Sequence, residues 1–411
     1  MRVFMIVGDG MADRPLRELY YQTPLEVAQT ENMDRLASKG ITGLLDPIAP
    51  GIAPGSDAAN LSILGYDPYE ACKGRGAFEA VGADIELKPG DVAFRCNFVT
   101  INKDFVVIDE RAGRIREEAI ELANALQDLQ LRENSDIEII FKHTLDFRGV
   151  LVLRGDNLSP NVVAEIPKVG KKVGSFKPLD ASVNAKRTSD ALNEFFKISH
   201  ELLEKHPINK RRKSEGKPPA NAVIPWGAGK LPGIKPFYEK YRLKGACIAA
   251  VSLIKGIAKL SGMSVIDVPG ATGYIDTDTI AKADAGLKAI KTYDLVFLHV
   301  EGPDEASHEG NIEGKISIIE KIDSMVGRII DNVDLDEVSI VLLADHVTST
   351  RHRKHTGDPV PIAIASNEVV KDDVQQYNEK RVYRGGLGRI QGRHVMPLIL
   401  NLMCRSESLG G

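Results

Sequence analysis

The chain has 411 residues, of which 43% are hydrophobic and 27% are charged, and its formal net charge is −4. Such a composition is typical of a globular protein with room for two domains, and it gives no reason to expect nucleic acid or a membrane as a partner. The four cysteines lie far apart without a Cys-x-x-Cys motif, and no apolar run is long enough for a membrane span or a signal peptide. We therefore expect a reduced, cytoplasmic protein.

The first third predicts a strand, a helix and a serine turn. The apolar run at residues 2–7 predicts a buried strand that ends in Gly8-Asp9-Gly10. A helix is predicted over residues 24–39, since Pro24 suits its first position. The turn at Pro54–Asp57 opens an apolar helix and places Ser56 at the N-cap or in the first turn. Ser56 then either caps the helix or, beside a metal ion, acts as a nucleophile.

The middle of the chain carries few motifs and is predicted to be a second domain, residues 76–222, inserted into a first domain of residues 1–75 and 223–411. Predicted elements within it are helices at 117–131 and 190–204 and strands at 137–141 and 150–153. The basic run at 205–219 is interpreted as a solvated loop near the domain boundary. A nucleic-acid patch is the weaker interpretation, because no aromatic residues are interleaved.

The last third predicts two more buried strands, at residues 295–300 and 339–344, with a long amphipathic helix between them. Alternating strands and helices predict an α/β fold with a mostly parallel sheet, in which ligands gather at the carboxyl ends of the strands. Asp9, Asp304 and Asp345 each follow such a strand, so we expect the three carboxylates at one edge of the sheet.

Imidazoles accompany these carboxylates. Asp304 and His308 are spaced i, i+4, which suits one metal ion, although a solvated helix face has the same pattern. Asp345 and His346 are adjacent at a strand end, and His355 precedes Pro-Val-Pro. Mixed imidazole and carboxylate ligands favour Mn²⁺, Zn²⁺ or Co²⁺ over sites built from oxygen alone.

Two other histidines are expected to play lesser roles. His352 competes with His355 as a ligand, but its basic neighbours predict an exposed loop. His299 lies inside a predicted strand and is interpreted as a core residue or as a group behind the metal ligands.

These motifs resemble, in content and in order, the archaeal-type 2,3-bisphosphoglycerate-independent (cofactor-independent) phosphoglycerate mutases of the alkaline phosphatase superfamily. The motifs are Gly8-Asp9-Gly10, Thr23–Ala28, Pro54–Asp57, Leu64–Pro68, Lys73–Gly76, Glu301–His308, Asp345-His346 and His355–Pro361. The resemblance implies an alkaline-phosphatase-like, mostly parallel sheet flanked by helices, with a smaller inserted α/β domain. It also implies two divalent metal ions, Mn²⁺ before Co²⁺, Zn²⁺ or Mg²⁺, and no 2,3-bisphosphoglycerate.

The resemblance further implies a role for each motif residue. One ion would be held by Asp304, His308 and His355, and the other by Asp9, Ser56, Asp345 and His346. Ser56 would be the nucleophile that carries the phosphoryl group while 3-phosphoglycerate and 2-phosphoglycerate are interconverted.

An anionic substrate needs cationic contacts, for which the candidates are Arg75, Arg95, Arg111, Arg114 and Lys255. Each of them alone is more often a surface charge. The family usually has Arg-Gly-Ala-Gly near the end of the inserted domain, whereas Trp226–Gly229 reads Trp-Gly-Ala-Gly here. If that arginine holds substrate, this chain lacks one contact.

Three functions remain open on the sequence. They are the mutase, a phosphatase or other phosphotransferase using the same site, and a metal-binding protein without catalysis. The inserted domain favours the mutase, because glycerate must be shielded from water while it re-orients. The partner is then a small molecule, and the oligomeric state, a homo-oligomer included, is left open.

Overall fold

The computed structural model describes residues 1–406 and 408. In chain order the strands are β1 Arg2–Gly8, β2 Gly40–Asp46, β3 Val92–Ile101, β4 Val107–Asp109, β5 Glu138–His143, β6 Arg148–Arg154, β7 Ala222–Gly229, β8 Gly245–Ile248, β9 Ser264–Val265, β10 Leu295–Val300, β11 Val338–Leu343, β12 Val347–Ser349, β13 Lys354–Thr356, β14 Val360–Ala365 and β15 Gly388–Gln391.

The α-helices are α1 Pro24–Val27, α2 Glu31–Ser38, α3 Ser56–Ile63, α4 Pro68–Ala71, α5 Arg75–Gly82, α6 Glu117–Gln127, α7 Val183–Lys205, α8 Pro207–Ser214, α9 Phe237–Tyr241, α10 Ser252–Leu260, α11 Thr279–Ala289, α12 Gly302–Glu309, α13 Ile312–Ile330, α14 Glu379–Val382 and α15 Val395–Leu402. Short 3-10 helices lie at Arg17–Leu19 and Gly392–His394. Among the residues described, every helix is too short or too polar to cross a lipid bilayer.

The chain divides into two compact units. The outer unit comprises Met1–Cys72 and Ile234–Gly411, and the inserted unit comprises Lys73–Gly233. The predicted insertion ends at residue 222, within this inserted unit. Strand β7 begins there and pairs along its length with β3 inside the inserted unit, so the chain leaves only after that pairing is complete.

The outer unit is built on an eight-stranded sheet of order β15-β2-β14-β11-β1-β10-β8-β9. Five of its seven pairings are parallel, and β14 runs antiparallel to both of its neighbours. The central strands β10 and β11 are apolar and wholly buried, as expected where helices cover both faces of a sheet. The predicted α/β class and the mostly parallel sheet are therefore confirmed.

Three strands of this sheet end side by side. Gly8 of β1 is in register with Val300 of β10, and Val7 is in register with Leu343 of β11. The residues that follow these strands, Asp9 and Asp345 among them, therefore emerge at one edge, as the sequence predicted.

The inserted unit has its own antiparallel sheet, β4-β3-β6-β5, with β7 paired to β3. Its core is apolar and lies between this sheet and helices α6 and α7. Leu122 of α6 and Phe195 of α7 are among its buried residues. The two ends of the unit touch each other, since a Cβ atom on Gly74 would lie 2.0 Å from the carbonyl oxygen of Ala228.

Two predicted elements were wrong. The helix at 24–39 is two helices, α1 and α2, because Asp323 accepts the backbone N–H groups of Asn32 and Met33 and so starts a second helix. The basic run at 205–219 contains helix α8 where a loop was expected. Arg212 of this helix is buried, donates to the carbonyl oxygens of Ala112 and Pro218 and pairs with a glutamate of α6, so one face of the helix packs on the inserted unit while most of the run stays exposed, as predicted.

Candidate active site

One set of predicted ligand atoms surrounds Nε2 of His346. Ser56 Oγ and Asp9 Oδ1 each lie 3.2 Å from this nitrogen, and Asp345 Oδ2 lies 3.6 Å from it. All four side chains are buried. The sheet supplies Asp9, Asp345 and His346 just beyond β1 and β11, whereas Ser56 is the first residue of α3.

A second set surrounds Oδ1 of Asp304. Nε2 of His308 lies 3.4 Å from this oxygen, Nε2 of His355 lies 3.3 Å from it, and the two nitrogens are 3.2 Å apart. Helix α12 presents Asp304 and His308 on successive turns, as their spacing predicted, and strand β13 presents His355. The rings of His346 and His355 stack with centroids 3.7 Å apart, so the two sets are neighbours.

The spacing of these atoms fits divalent metal ions. Bonds of about 2.0–2.2 Å to a tetrahedral ion put neighbouring ligand atoms roughly 3.3–3.6 Å apart. Both carboxylate oxygens of Asp9 are buried and have no hydrogen-bond partner among the described residues. A buried carboxylate without donors is costly unless a cation meets it.

Charge in the two sets points the same way. Burial, and then repulsion from Asp345, raises the pKa of Asp9 well above its usual range. Burial also raises the pKa of Asp345. In the other set, attraction to Asp304 raises the pKa of His308 to about 9. Both sets thus favour an added positive charge, which protons supply in the absence of metal.

Two further residues lie beside the first set: Asn60, which the sequence analysis missed, and His299, whose role it left open. Asn60, one helical turn after Ser56, donates through Nδ2 to the Ser56 carbonyl oxygen at 2.8 Å and to Asp345 Oδ2 at 2.9 Å. Only its i+4 spacing from Ser56 could have indicated it. His299 is fully buried, with Nε2 3.3 Å from Asp9 Oδ2, so it stands behind a predicted ligand.

Two of the predicted substrate arginines of the inserted unit, Arg75 and Arg95, lie beside Trp226. Arg75 Nε and Arg95 Nη1 both donate to Glu79 Oε1, at 3.0 and 3.1 Å. Their guanidinium carbons lie 5.5 and 4.9 Å from the centroid of the Trp226 ring. The tryptophan that stands in place of the family's arginine is therefore a platform under two other arginines.

A second group of arginines meets Phe147. The guanidinium carbons of Arg111 and Arg148 lie 5.4 and 5.5 Å from the centroid of this ring, and Arg114 Nε lies 3.3 Å from Asp146. The buried Arg148 was missed, because in the sequence it is one charge in an apolar strand.

The fifth predicted substrate residue, Lys255, belongs to the outer unit. It lies on α10, and its ammonium group pairs with Asp267 at 2.6 Å. The structure therefore brings the seven predicted metal ligands together and gathers four predicted arginines in the inserted unit.

Comparisons with known proteins give the chain its relatives. A model of the "Metalloenzyme superfamily" matches residues 1–402. A 2,3-bisphosphoglycerate-independent phosphoglycerate mutase 1 of Methanothermobacter thermautotrophicus is 48% identical over 412 residues, with 100% of both chains covered. The structure of the PH0037 protein of Pyrococcus horikoshii is 39% identical with a TM-score of 0.84, over 100% of this chain and 99% of that one. A cofactor-independent phosphoglycerate mutase of Thermoplasma acidophilum is 33% identical with a TM-score of 0.64, over 98% and 99%.

Proposed function

Because the chain belongs to the metalloenzyme superfamily and to the family of 2,3-bisphosphoglycerate-independent phosphoglycerate mutases, we propose that it interconverts 3-phosphoglycerate and 2-phosphoglycerate. The observation that carries the proposal is the position of Ser56. The N-cap of α3 is Gly55, so Ser56 is the first helical residue and not the cap, and its Oγ lies 3.2 Å from His346 among the predicted metal ligands. A nucleophile fits this position better than a helix cap does.

The same proposal covers the two metal ions. One is assigned to Asp304, His308 and His355, and the other to Asp9, Ser56, Asp345 and His346. When bound, such ions favour ionisation of the serine hydroxyl and neutralise charge on the phosphoryl oxygens. The mixture of imidazoles and carboxylates supports Mn²⁺ as the ion, with Co²⁺, Zn²⁺ and Mg²⁺ as alternatives.

In the proposed reaction, Ser56 Oγ attacks the phosphorus atom of 3-phosphoglycerate. The bond from phosphorus to the C3 oxygen breaks, and that oxygen takes up the proton that the serine hydroxyl gave up. The C2 hydroxyl of the bound glycerate then attacks phosphoserine, loses its proton and releases Ser56 protonated. No 2,3-bisphosphoglycerate is needed, since Ser56 itself holds the phosphoryl group between the two transfers.

Arginines of the inserted unit are proposed to bind the anionic substrate, through Arg75, Arg95, Arg111 and Arg114, and Lys255 of the outer unit is a further candidate. Guanidinium groups match carboxylate and phosphate oxygens in pairs, which supports this assignment. Retention of glycerate would separate the mutase from a phosphatase, because bound glycerate must outcompete water for phosphoserine. The four cysteines lie far apart in the sequence without a Cys-x-x-Cys motif, which supports a reducing compartment, so we propose that the enzyme is cytoplasmic.

The test uses purified, Mn²⁺-loaded protein with 3-phosphoglycerate and without 2,3-bisphosphoglycerate. We expect 2-phosphoglycerate to form in large excess over free phosphate. Ser56→Ala should be inactive but folded, whereas Ser62→Ala, a buried serine of the same helix, should stay active. Phosphate as the main product would favour the phosphatase, and a normally active Ser56→Ala variant would overturn the assignment of the nucleophile.

Removal of metal tests the ligand sets directly. Exhaustive chelation should abolish turnover, and addition of Mn²⁺ or Co²⁺ should restore it, with two ions bound per chain by elemental analysis. Full activity in a preparation shown to contain no metal would contradict the metal assignment.

A further inference from the structure

Thr348 is a buried threonine that the sequence did not single out. It is the middle residue of β12, pairs with His355 across the short β12–β13 hairpin and is fully buried. Buried hydroxyl groups usually have a hydrogen-bond partner, and this one lies between the two sets of metal ligands.

The Thr348 hydroxyl joins one ligand of each set. Its Oγ1 lies 2.6 Å from Asp304 Oδ1 and 3.0 Å from His346 Nδ1. A hydroxyl has one proton, and an ionised carboxylate only accepts, so Oγ1 donates to Asp304 and accepts the Nδ1 proton of His346. This bond fixes the tautomer of His346 and leaves a lone pair on Nε2, which faces Ser56.

The backbone carbonyl group of Thr348 is hydrogen-bonded to a buried lysine. Lys315 is fully buried, and its Nζ donates to the carbonyl oxygens of Thr348 and Ala12, at 2.9 and 3.1 Å, and to Asp13 Oδ2 at 2.9 Å. All three ammonium protons therefore have acceptors.

The side chain of Thr348 lies close to the backbone of Gly10. A Cβ atom on Gly10 would lie 2.5 Å from Oγ1 of Thr348, so only a glycine leaves room for the hydroxyl at this point. Gly10 also has φ +60°, a backbone conformation that favours glycine. Lys315, which binds the Thr348 backbone, and Gly10, which leaves room for the side chain, thus both fix the position of the hydroxyl.

We propose that Thr348 is a positioning residue that couples the two metal sets, by holding Asp304 of one and His346 of the other through a single hydroxyl. The inference rests on the two-metal site of the proposed function. Partners behind metal ligands orient them, and removal of such a partner commonly weakens metal binding by about 10–100-fold. Because the hydroxyl serves both sets, its removal should weaken the binding of both ions.

The experiment compares two variants with a matched control. Thr348→Val keeps the shape and removes the hydroxyl, and Thr348→Ser keeps the hydroxyl. The control is Thr42→Val, because Thr42 is another fully buried strand threonine of the outer unit that donates to a carboxylate, Asp372. Metal-free protein is titrated with Mn²⁺, and free Mn²⁺ is measured by electron paramagnetic resonance.

We expect Thr348→Val to bind both ions about 10–100-fold more weakly, and Thr348→Ser and Thr42→Val to bind them as the native chain does. Unchanged binding by Thr348→Val, or weakening of one ion alone, would overturn the inference. Native protein that does not bind two ions would instead count against the proposed function.

A second measurement needs neither metal nor activity. In metal-free protein with ¹⁵N-labelled histidine, the spectrum should show a protonated Nδ1 and an unprotonated Nε2 for His346. Thr348→Ser should keep this tautomer even if Thr348→Val folds poorly. A His346 ring protonated on Nε2 in the native chain would contradict the hydrogen-bond arrangement.

Discussion

The two units gather charge in opposite ways. The outer unit buries carboxylates and imidazoles beyond the ends of parallel strands, where Asp9 has no donor among the described residues. The inserted unit gathers guanidinium groups beside rings and carboxylates, as where Arg75 and Arg95 share Glu79 and Trp226. The first arrangement calls for cations from outside the chain, whereas the second already balances much of its own charge.

This difference decides how each group is recognised in a sequence. Some predicted ligands of the outer unit lie close together in the chain, as Asp345 and His346 do, because a single strand end delivers both, and others follow apolar strands that the sequence shows. Arginines of the inserted unit come together through the pairing of strands, in which Arg95 is opposite Trp226 and Asn97 is opposite Arg148. Chain spacing reveals the first kind of site and hides the second.

The largest effect is expected from a ligand of the outer unit. His355→Ala should reduce the bound metal from two ions to one and lower turnover by more than about 100-fold. Loss of a residue that only orients a metal ligand costs at most about that much. His352→Ala, an exposed histidine three residues earlier, is the control and should behave as the native chain does. Equal metal content in the two variants by elemental analysis would show that His355 is not a ligand.

The arginines should give a smaller effect of a different kind. Arg111→Ala and Arg114→Ala should each lower kcat/KM for 3-phosphoglycerate by about 10–150-fold, the range for one charged hydrogen bond of about 1.5–3 kcal/mol. They should retain both metal ions and release a larger fraction of free phosphate, because glycerate is held less well.

The control for the arginines is Arg187→Ala. Arg187 lies on α7 of the inserted unit and pairs with Asp136, in the turn before β5. It should leave the ratio of 2-phosphoglycerate to phosphate unchanged. If the ratio also stays unchanged in Arg111→Ala and Arg114→Ala, these two arginines do not hold the acceptor.

A partly buried carboxyl group of the outer unit should also affect stability. Burial raises the pKa of Glu379 from 4.5 to about 6, so the folded state prefers the protonated carboxyl group. Its favourable contribution is complete below pH 4.5 and is lost as the pH rises through 6, which amounts to about 2 kcal/mol. Glu379→Gln should therefore gain about that much relative to the native chain between pH 4.5 and 7, measured by urea unfolding. A pH-independent difference between the two proteins would contradict this expectation.

The smallest effect is expected at the aromatic platform. Trp226→Ala removes the ring beside two guanidinium groups that Glu79 still holds, so we expect a loss of about 1 kcal/mol, with a few-fold rise in KM and kcat nearly unchanged. Trp226→Phe keeps a ring but loses the Nε1 hydrogen bond to Asn97, so its KM should lie between those of the native chain and of Trp226→Ala. A larger loss in the phenylalanine variant than in the alanine variant would show that the hydrogen bond, and not the ring, matters.

Much of the outer unit could be predicted because local rules operate there. Apolar runs specified β1, β10 and β11, and the i, i+4 spacing brought Asp304 and His308 to one face of α12. Relatives at 48% identity confirm the family, and the sheet confirms the fold class. The roles of the individual ligands stay predictions until metal binding is measured.

What escaped prediction depends on contacts between distant segments. The break between α1 and α2 involves Asp323, almost 300 residues away, and the buried face of α8 pairs with a glutamate of α6. Thr348 carries no pattern of its own, because its importance comes from one acceptor, Asp304, and one donor, His346, that the fold brings to it. Local periodicity contains no information about such partners.

The contact between Gly74 and Ala228 makes the inserted unit a cassette. A segment that comes together with itself close to both of its ends can be inserted into a surface loop of a host without rearranging the host's sheet. The same closeness means that a short bridge across the gap would leave the host chain continuous. A deletion at this one place can therefore remove the inserted unit while all the predicted metal ligands stay in one continuous chain.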